Sequence, residues 1–280
     1  MPSVPVWCIT LPMTQAATRS AKFATLALYL SLGLIAWFAV AAFGPKFGLI
    51  DWKVGLMTMT FTAGIFLIGF TALVAVIALV WTLLKAPRTG WLKALIALAI
   101  PGVFFAALAA TQATGQSVPP IYDITTNTAN PPMYSEDKVA LRTSLDANPL
   151  LDFQTPLGTM EQWQGDRFGA VGDKTAAELI ATGYPDLKTA VLPVAPDVAA
   201  QMVADAMNDA GFADVRTENG RVEGVAETFL YGFKDDVVAR ITPVEGGSEV
   251  DFRSTSRVGI SDLGENAKRI KKLLAALEAQ

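Results

Sequence analysis

Few side chains in this chain could do chemistry. The 280 residues contain no histidine and a single cysteine, Cys8, which removes Ser-His-Asp and Cys-His nucleophile systems, histidine-bearing zinc sites and any internal disulfide. Serine activated by lysine, or acid/base work by paired carboxylates, needs neither residue and stays open. No motif argues for either, and neither a metal site nor a cofactor is expected. What remains is a set of arginines, Arg240, Arg253 and Arg257, with the acids Asp236 and Asp123 as their companions. A guanidinium is a planar bidentate fork, so these five residues form a candidate binding site for an anionic headgroup, a carboxylate or another subunit. The rival candidates are Glu223 and Glu227. At i and i+4 on one strand they stand roughly 13 Å apart, beyond the roughly 5–9.5 Å of glycosidase pairs. An envelope enzyme using carboxylate or arginine chemistry is therefore the alternative and a binding module the preferred reading.

Such residues need a sheet to position them. From Asp251 to Val258, alternation puts Asp251, Arg253, Thr255 and Arg257 on one face, with Phe252, Ser254, Ser256 and Val258 on the other. Carried back through a meander, the same period collects Val222, Ala226, Leu230, Val237, Ala239, Ile241, Val250 and Phe252 on an apolar face. The opposite face holds Arg221, Glu223, Glu227, Asp236, Arg240, Arg253 and Arg257, interrupted by Val225, Phe229, Tyr231 and Val238. The plain expectation for this face is solvation, with cross-strand ion pairs of about 0.2–1 kcal/mol each. The functional expectation is that residues 112–183 fold over it and enclose a site.

The supporting elements follow from period and punctuation. A strand is expected at residues 189–194 and a helix at 197–210, with Val198, Met202, Val203, Ala206 and Met207 inward and Gly211 as its stop. Asn219-Gly220 is a two-residue hairpin signal joining strands at 213–218 and 221–230. Strands at 237–242 and 249–256 come next, then a terminal helix. Asp262 and Glu265 have capping-box spacing, and Leu263, Ala267, Ile270, Leu274 and Leu277 make the helix's apolar stripe. The order β-α-β-β-β-β-α predicts an α+β domain at 184–280, an antiparallel sheet with both helices on one face. Residues 112–183, rich in Pro, Asn, Thr and Gly, form a long irregular segment with a short helix at 173–182.

Within this part, RSTSRVGISDLGENAKRI (Arg253 to Ile270) resembles the closing signature of the bacterial domain of unknown function 1499 family. YDITTNTANPP and YPDL resemble two earlier blocks of that family in the same order. The resemblance covers the chain from about Pro119 onward. It implies a shared fold in uncharacterised bacterial membrane-anchored proteins and supplies no catalytic residue.

The N-terminal part is of another kind. Residues 1–111 carry seven Lys or Arg against one acid, Asp51, whereas 112–280 carry fifteen against twenty-five. An acidic C-terminal part without a basic stripe does not suit nucleic acid. After a tail at 1–22, with Met13 as an alternative start, uncharged apolar runs at 23–43, 54–84 and 94–110 are each long enough to cross a bilayer. A cleaved signal peptide ending near Ala39-Val40-Ala41 is the competing reading of the first run, whose length favours a retained anchor. The second run exceeds the hydrocarbon thickness and should tilt, protrude or bend near Gly64 and Gly69. Its Gly55, Thr58, Thr60, Thr62, Gly64, Gly69 and Thr71 suit close helix packing. None of the runs holds an ionisable residue, which argues against an ion or proton path.

Three spans place the tail and the second loop on one side. Arg19, Lys22, Lys85, Arg88 and Lys93 lie there, against Lys46 and Lys53 opposite. Basic residues stay inside, so the N-terminus should be cytoplasmic and the C-terminal domain extracytoplasmic; in a bacterium, which the family resemblance implies, that is a multi-pass inner-membrane protein with a periplasmic C-terminal domain. The expected partners are the lipid bilayer and an envelope protein or small anionic ligand.

Overall fold

The structure, a computed structural model, describes residues 18–165 and 168–279. Cys8 and the alternative start at Met13 lie outside the described residues. The chain divides into two compact units. One comprises the chain up to Ala41 with Lys53–Ala107, the other Ala42–Trp52 with Leu108–Gln280.

The first unit is built from three helices, each long and apolar enough to cross a membrane. They are α1 (Arg19–Lys46), α2 (Gly64–Leu84), which continues a π-helical stretch at Val54–Ala63, and α3 (Trp91–Ser117). The long second run thus changes winding at Gly64. The wider turn suits its threonines, since the Thr60 and Thr62 hydroxyls donate to the carbonyls of Gly55 and Met57, five residues back. Packing rests on a seam of small residues, Ala24, Ala27, Ala75, Ala78, Ala94 and Ala97, all buried, which lets backbones approach closely. Ser31 donates to the Ala97 carbonyl across that seam at 2.7 Å. Of the seven Gly and Thr residues expected at contacts, Gly55, Thr60, Gly64 and Thr71 are buried, while Thr58, Thr62 and Gly69 face outward.

The second unit holds a six-stranded antiparallel sheet, β1 (Asp123–Thr125), β2 (Ala190–Leu192), β3 (Ala213–Glu218), β4 (Arg221–Glu227), β5 (Lys234–Val244) and β6 (Gly247–Ser256). The strands run in the order β1-β6-β5-β4-β3, and β2 also pairs with β6. The helices are α4 (Glu136–Ser144), α5 (Gly169–Gly172), α6 (Ala176–Gly183), α7 (Pro196–Asp209) and α8 (Glu265–Glu278). From β2 onward the order is the expected β-α-β-β-β-β-α. The apolar sheet face, Val222, Ala226, Val237, Ala239, Ile241, Val250 and Phe252, shares one core with Val203 and Met207 of α7 and Ile270 and Leu273 of α8. The Asn219-Gly220 turn has φ of 50° and 71°, the left-handed pair that a two-residue hairpin requires.

Several boundaries differ from expectation, each for a local reason. β4 stops at Glu227; Thr228–Phe233 then forms a turn in which Tyr231 has φ 65°, so Leu230 leaves the apolar face and is exposed. That turn meets residues of the same unit. The Tyr231 amide donates to the Ala42 carbonyl at 2.9 Å, Phe229 stands edge-on to Phe43, and Lys46 pairs with Glu227 at 3.4 Å. In α7 the alanines take the inner positions, Ala199, Ala200, Ala204 and Ala206 beside Val203 and Met207, and Val198 points out.

The start of α8 also departs from a capping box. Its N-cap is Gly264 at φ 83°, and the Asp262 carboxylate accepts from the amides of Gly264 and Asn266 at 2.8 and 2.7 Å. Glu265 reaches forward to Lys268 instead. Burial pushes the Asp262 carboxyl up to about 6, against those two backbone hydrogen bonds. Leu263 is exposed, and Leu273 takes the inward place expected of Leu274, which is half-buried.

Residues 112–183 are largely ordered by contacts rather than by period. Besides β1, α4, α5 and α6, they contribute Tyr122, Leu151, Phe153, Leu157 and Trp163 to the core of the sheet. Trp163 stacks on Tyr122 with centroids 5.4 Å apart, and its indole N–H donates to the Pro120 carbonyl.

Candidate functional site

The charged face of the sheet is covered. Arg253 is 1% exposed and Asp236 0%, because the chain from Asp123 to Asn148 lies across it; the expectation of a solvated face is therefore corrected. Charges taken out of water must be paired or hydrogen-bonded, and the cover provides both.

Asp123, on edge strand β1, and Arg253, on β6, form a two-pronged pair, with Nε to Oδ1 at 3.0 Å and Nη2 to Oδ2 at 2.6 Å. The remaining lone pairs of Asp123 accept from the Thr255 hydroxyl at 2.7 Å and the Leu151 amide at 3.0 Å. Arg253 also donates to the Leu151 carbonyl at 3.2 Å, and its guanidinium lies 5.0 Å from the Phe153 ring centroid. Both partners are thus engaged by Leu151 and Phe153, just beyond Asn148, and by Thr255 of β6.

Asp236 on β5 gathers three cations. Arg257 grips it through Nε and Nη2 at 3.0 and 2.7 Å, Arg142 of α4 donates at 2.6 Å, and the Lys138 ammonium stands at 3.5 Å. Burial pushes the Asp236 carboxyl up, but hydrogen bonds and charge from Arg257, then Arg142, outweigh it and hold the group below its ordinary range. Tyr134, whose phenol is held protonated by burial, has its oxygen 2.7 Å from the Asp236 carbonyl and 3.0 Å from the Thr255 hydroxyl, so its single proton is shared between the two. Asn148 closes this end, its amide donating to the Arg257 carbonyl and its side chain to the Gly259 carbonyl, both at 2.7 Å.

Arg240 lies nearer solvent. Its Nη2 donates to Asp251 at 2.6 Å and to the Asn130 carbonyl at 2.7 Å, while its buried Nε has no partner among the described residues. Asp251 also accepts from Thr126, Asn127 and Thr189. Glu223 accepts from the amide and hydroxyl of Ser135, the N-cap of α4, while Glu227 pairs with Lys46. The two glutamates serve different partners.

The structure thus distributes the five candidate residues over three clusters, Asp123 with Arg253, Asp236 with Arg257, and Arg240 with Asp251. Sequence reasoning missed the partners that the cover supplies, namely Tyr134, Lys138, Arg142 and Asn148. One signal was available: Lys138 and Arg142 are the first basic residues after Lys93 and share a helix face at i and i+4. It also missed Arg269 of α8, which pairs with Asp235 at 2.6 Å on the helix side of the sheet.

Fold and geometry define a class: three membrane-length helices and an α+β domain whose charged sheet face is sealed by its own preceding segment. The chain belongs to the family described as "Protein of unknown function (DUF1499)", which matches residues 123–277, more than half of its length. That span begins at Asp123 and so contains every residue of the buried ion network. Comparison with curated proteins and with solved structures gives no match.

Proposed function

We propose that this protein is a membrane-anchored, extracytoplasmic binding or interaction module of the bacterial envelope, with its helices in the inner membrane and its domain in the periplasm. The observation that carries the reading is the junction of three membrane-length helices to a folded domain, combined with the distribution of basic residues. Arg19, Lys22, Lys85, Arg88 and Lys93 fall on the tail side, Lys46 and Lys53 on the other. The carboxylates that acid/base chemistry would use are engaged by Ser135 and Lys46, which favours binding over catalysis.

The reading is tested in a Cys8→Ser background with single cysteines at exposed positions. Glu245→Cys should react with an impermeant thiol reagent in intact cells, and Ala86→Cys only after the membrane is opened. The opposite pattern would reverse the topology.

A second reading keeps an anion site at the Arg257 end of the network. Three cations surround the carboxylate of Asp236, and the Arg257 side chain, on which Asp214 and Asp235 also act, is 13% exposed, so a solvent anion can reach this end of the network. On this reading sulfate raises the thermal midpoint of the wild type more than that of Arg257→Ala at equal ionic strength. Equal rises would set it aside.

A further inference from the structure

A groove remains on the far side of α8 that the ion network does not use. Its floor and walls are Val118, Leu263, Ala267 and Ala275, and Lys268, Lys271 and Lys272 form its rim, around a volume of about 400 Å³. The groove is shallow and open to solvent rather than an enclosed cavity. The lining positions 264, 267, 268, 271, 272 and 275 form one lateral stripe of the helix. Among the described residues, no acid lines the groove. Lys268 and Lys271 make solvent-exposed pairs with Glu265 and Asp186 at 3.2 and 3.6 Å, and no ion pair or hydrogen bond engages the Lys272 ammonium among the described residues. Such exposed pairs are worth little and open readily for a stronger anion.

A second observation points to a ligand. Tyr184 lines the groove, is only 8% exposed, and its hydroxyl has no hydrogen-bond partner among the described residues. A buried polar group left unpaired costs stability, and this one stands beside the apolar floor and the lysine rim. Burial, and then the charge of Asp262, push the phenol up to about 12, so it stays protonated and able to donate.

The groove also has a defined place along the chain. α3 has 27 residues, a length of about 40 Å, close to that of a bilayer with its headgroup layers. Val118 follows its last residue directly. The Gly115 turn of α3 approaches Leu263, the residue that opens the groove.

From this combination we infer that the groove binds an anionic phospholipid of the surrounding leaflet, one acyl chain on the apolar floor and the phosphate on Lys268, Lys271 and Lys272, with the Tyr184 hydroxyl donating to a lipid oxygen. An apolar bed beside a cationic rim is the pattern that recognises such amphiphiles. The inference rests on the membrane reading of the three helices, and it holds for either orientation of the domain, so a reversed labelling pattern would leave it standing.

The test is native mass spectrometry of the full chain, released from mild detergent after incubation with phosphatidylglycerol or phosphatidylcholine. The wild type should retain phosphatidylglycerol in preference to phosphatidylcholine. The triple variant Lys268→Gln, Lys271→Gln, Lys272→Gln should lose that retention by about tenfold or more. Its folding should be unaltered, since all three side chains are exposed. Tyr184→Phe should weaken retention severalfold while leaving lipid-free thermal stability unchanged or raised, because it removes the unpaired hydroxyl. Equal retention of the two lipids, wild-type retention by the triple variant, or displacement by soluble glycerol phosphate would each overturn the proposal.

Discussion

Asp236→Asn is expected to be the most damaging single change in the domain. The substitution keeps the shape of the side chain and removes its charge, leaving Lys138, Arg142 and Arg257 without their common counter-ion. Stranding a buried partner typically costs about 3–5 kcal/mol, and here three cations lose theirs together, so the effect should reach the top of that range. It should appear as a lowered thermal midpoint of the domain, followed through the near-ultraviolet signal of buried Trp163 in the full chain. The pH dependence has a defined sign. The folded carboxyl is held below its ordinary value of about 3.9, so its stabilisation is fully present above that value and is lost as pH falls through the lower folded value. The difference between wild type and Asp236→Asn should therefore be constant near neutrality and shrink below about pH 4. A variant as stable as the wild type at neutral pH would mean that the three cations have other anions to turn to.

Arg253→Met is the second large effect. Methionine retains part of the apolar stem that packs near Phe153 but leaves the buried Asp123 carboxylate without its cation and the Leu151 carbonyl without a donor. A loss of about 3–5 kcal/mol is expected. Adding Asp123→Asn should restore part of it, since the stranded charge is gone and the amide oxygen can still accept from one of the two donors, the Leu151 amide or the Thr255 hydroxyl, which bond different oxygens of Asp123. Additive losses in the double variant would show that the two side chains act independently. Arg257, partly open to solvent, should cost less on removal than Arg253, because Arg142 and Lys138 remain on Asp236.

These expectations show what was legible before any coordinates. A meander of antiparallel strands obeys a period of two, so both faces of β6 could be assigned residue by residue, with Arg253 and Thr255 on one and Phe252 and Ser254 on the other. Turn chemistry located the β3–β4 hairpin at Asn219-Gly220. That residues 112–183 fold over the charged face was an expectation, but the way they do so was not legible. Residues 126–135 and 145–163 have no regular period, and their order comes from single side chains that bond to partners far along the chain, as Ser135 does with Glu223 and Asn148 with the Arg257 and Gly259 carbonyls. Which acid meets which arginine was therefore hidden, although the acids and bases themselves were not. Misjudged element ends had smaller causes. In α7 neighbouring alanines are smaller than Val198 and let the helix pack closer, and β4 ends early because Thr228 to Phe233 turns to meet Ala42 and Lys46.

The segment from Asp123 to Leu151 is an integral layer over the sheet. Amide hydrogen exchange on the full chain tests it most directly. The amides of Ser135, Asn148 and Leu151, bonded respectively to Glu223, the Arg257 carbonyl and Asp123, should be protected to nearly the same degree as those of β5 and β6. They should lose protection together with those strands in Asp236→Asn. Free exchange at all three amides while β5 and β6 stay protected would mean that the cover opens on its own, contradicting the sealed face and returning Arg240, Arg253 and Arg257 to solvent.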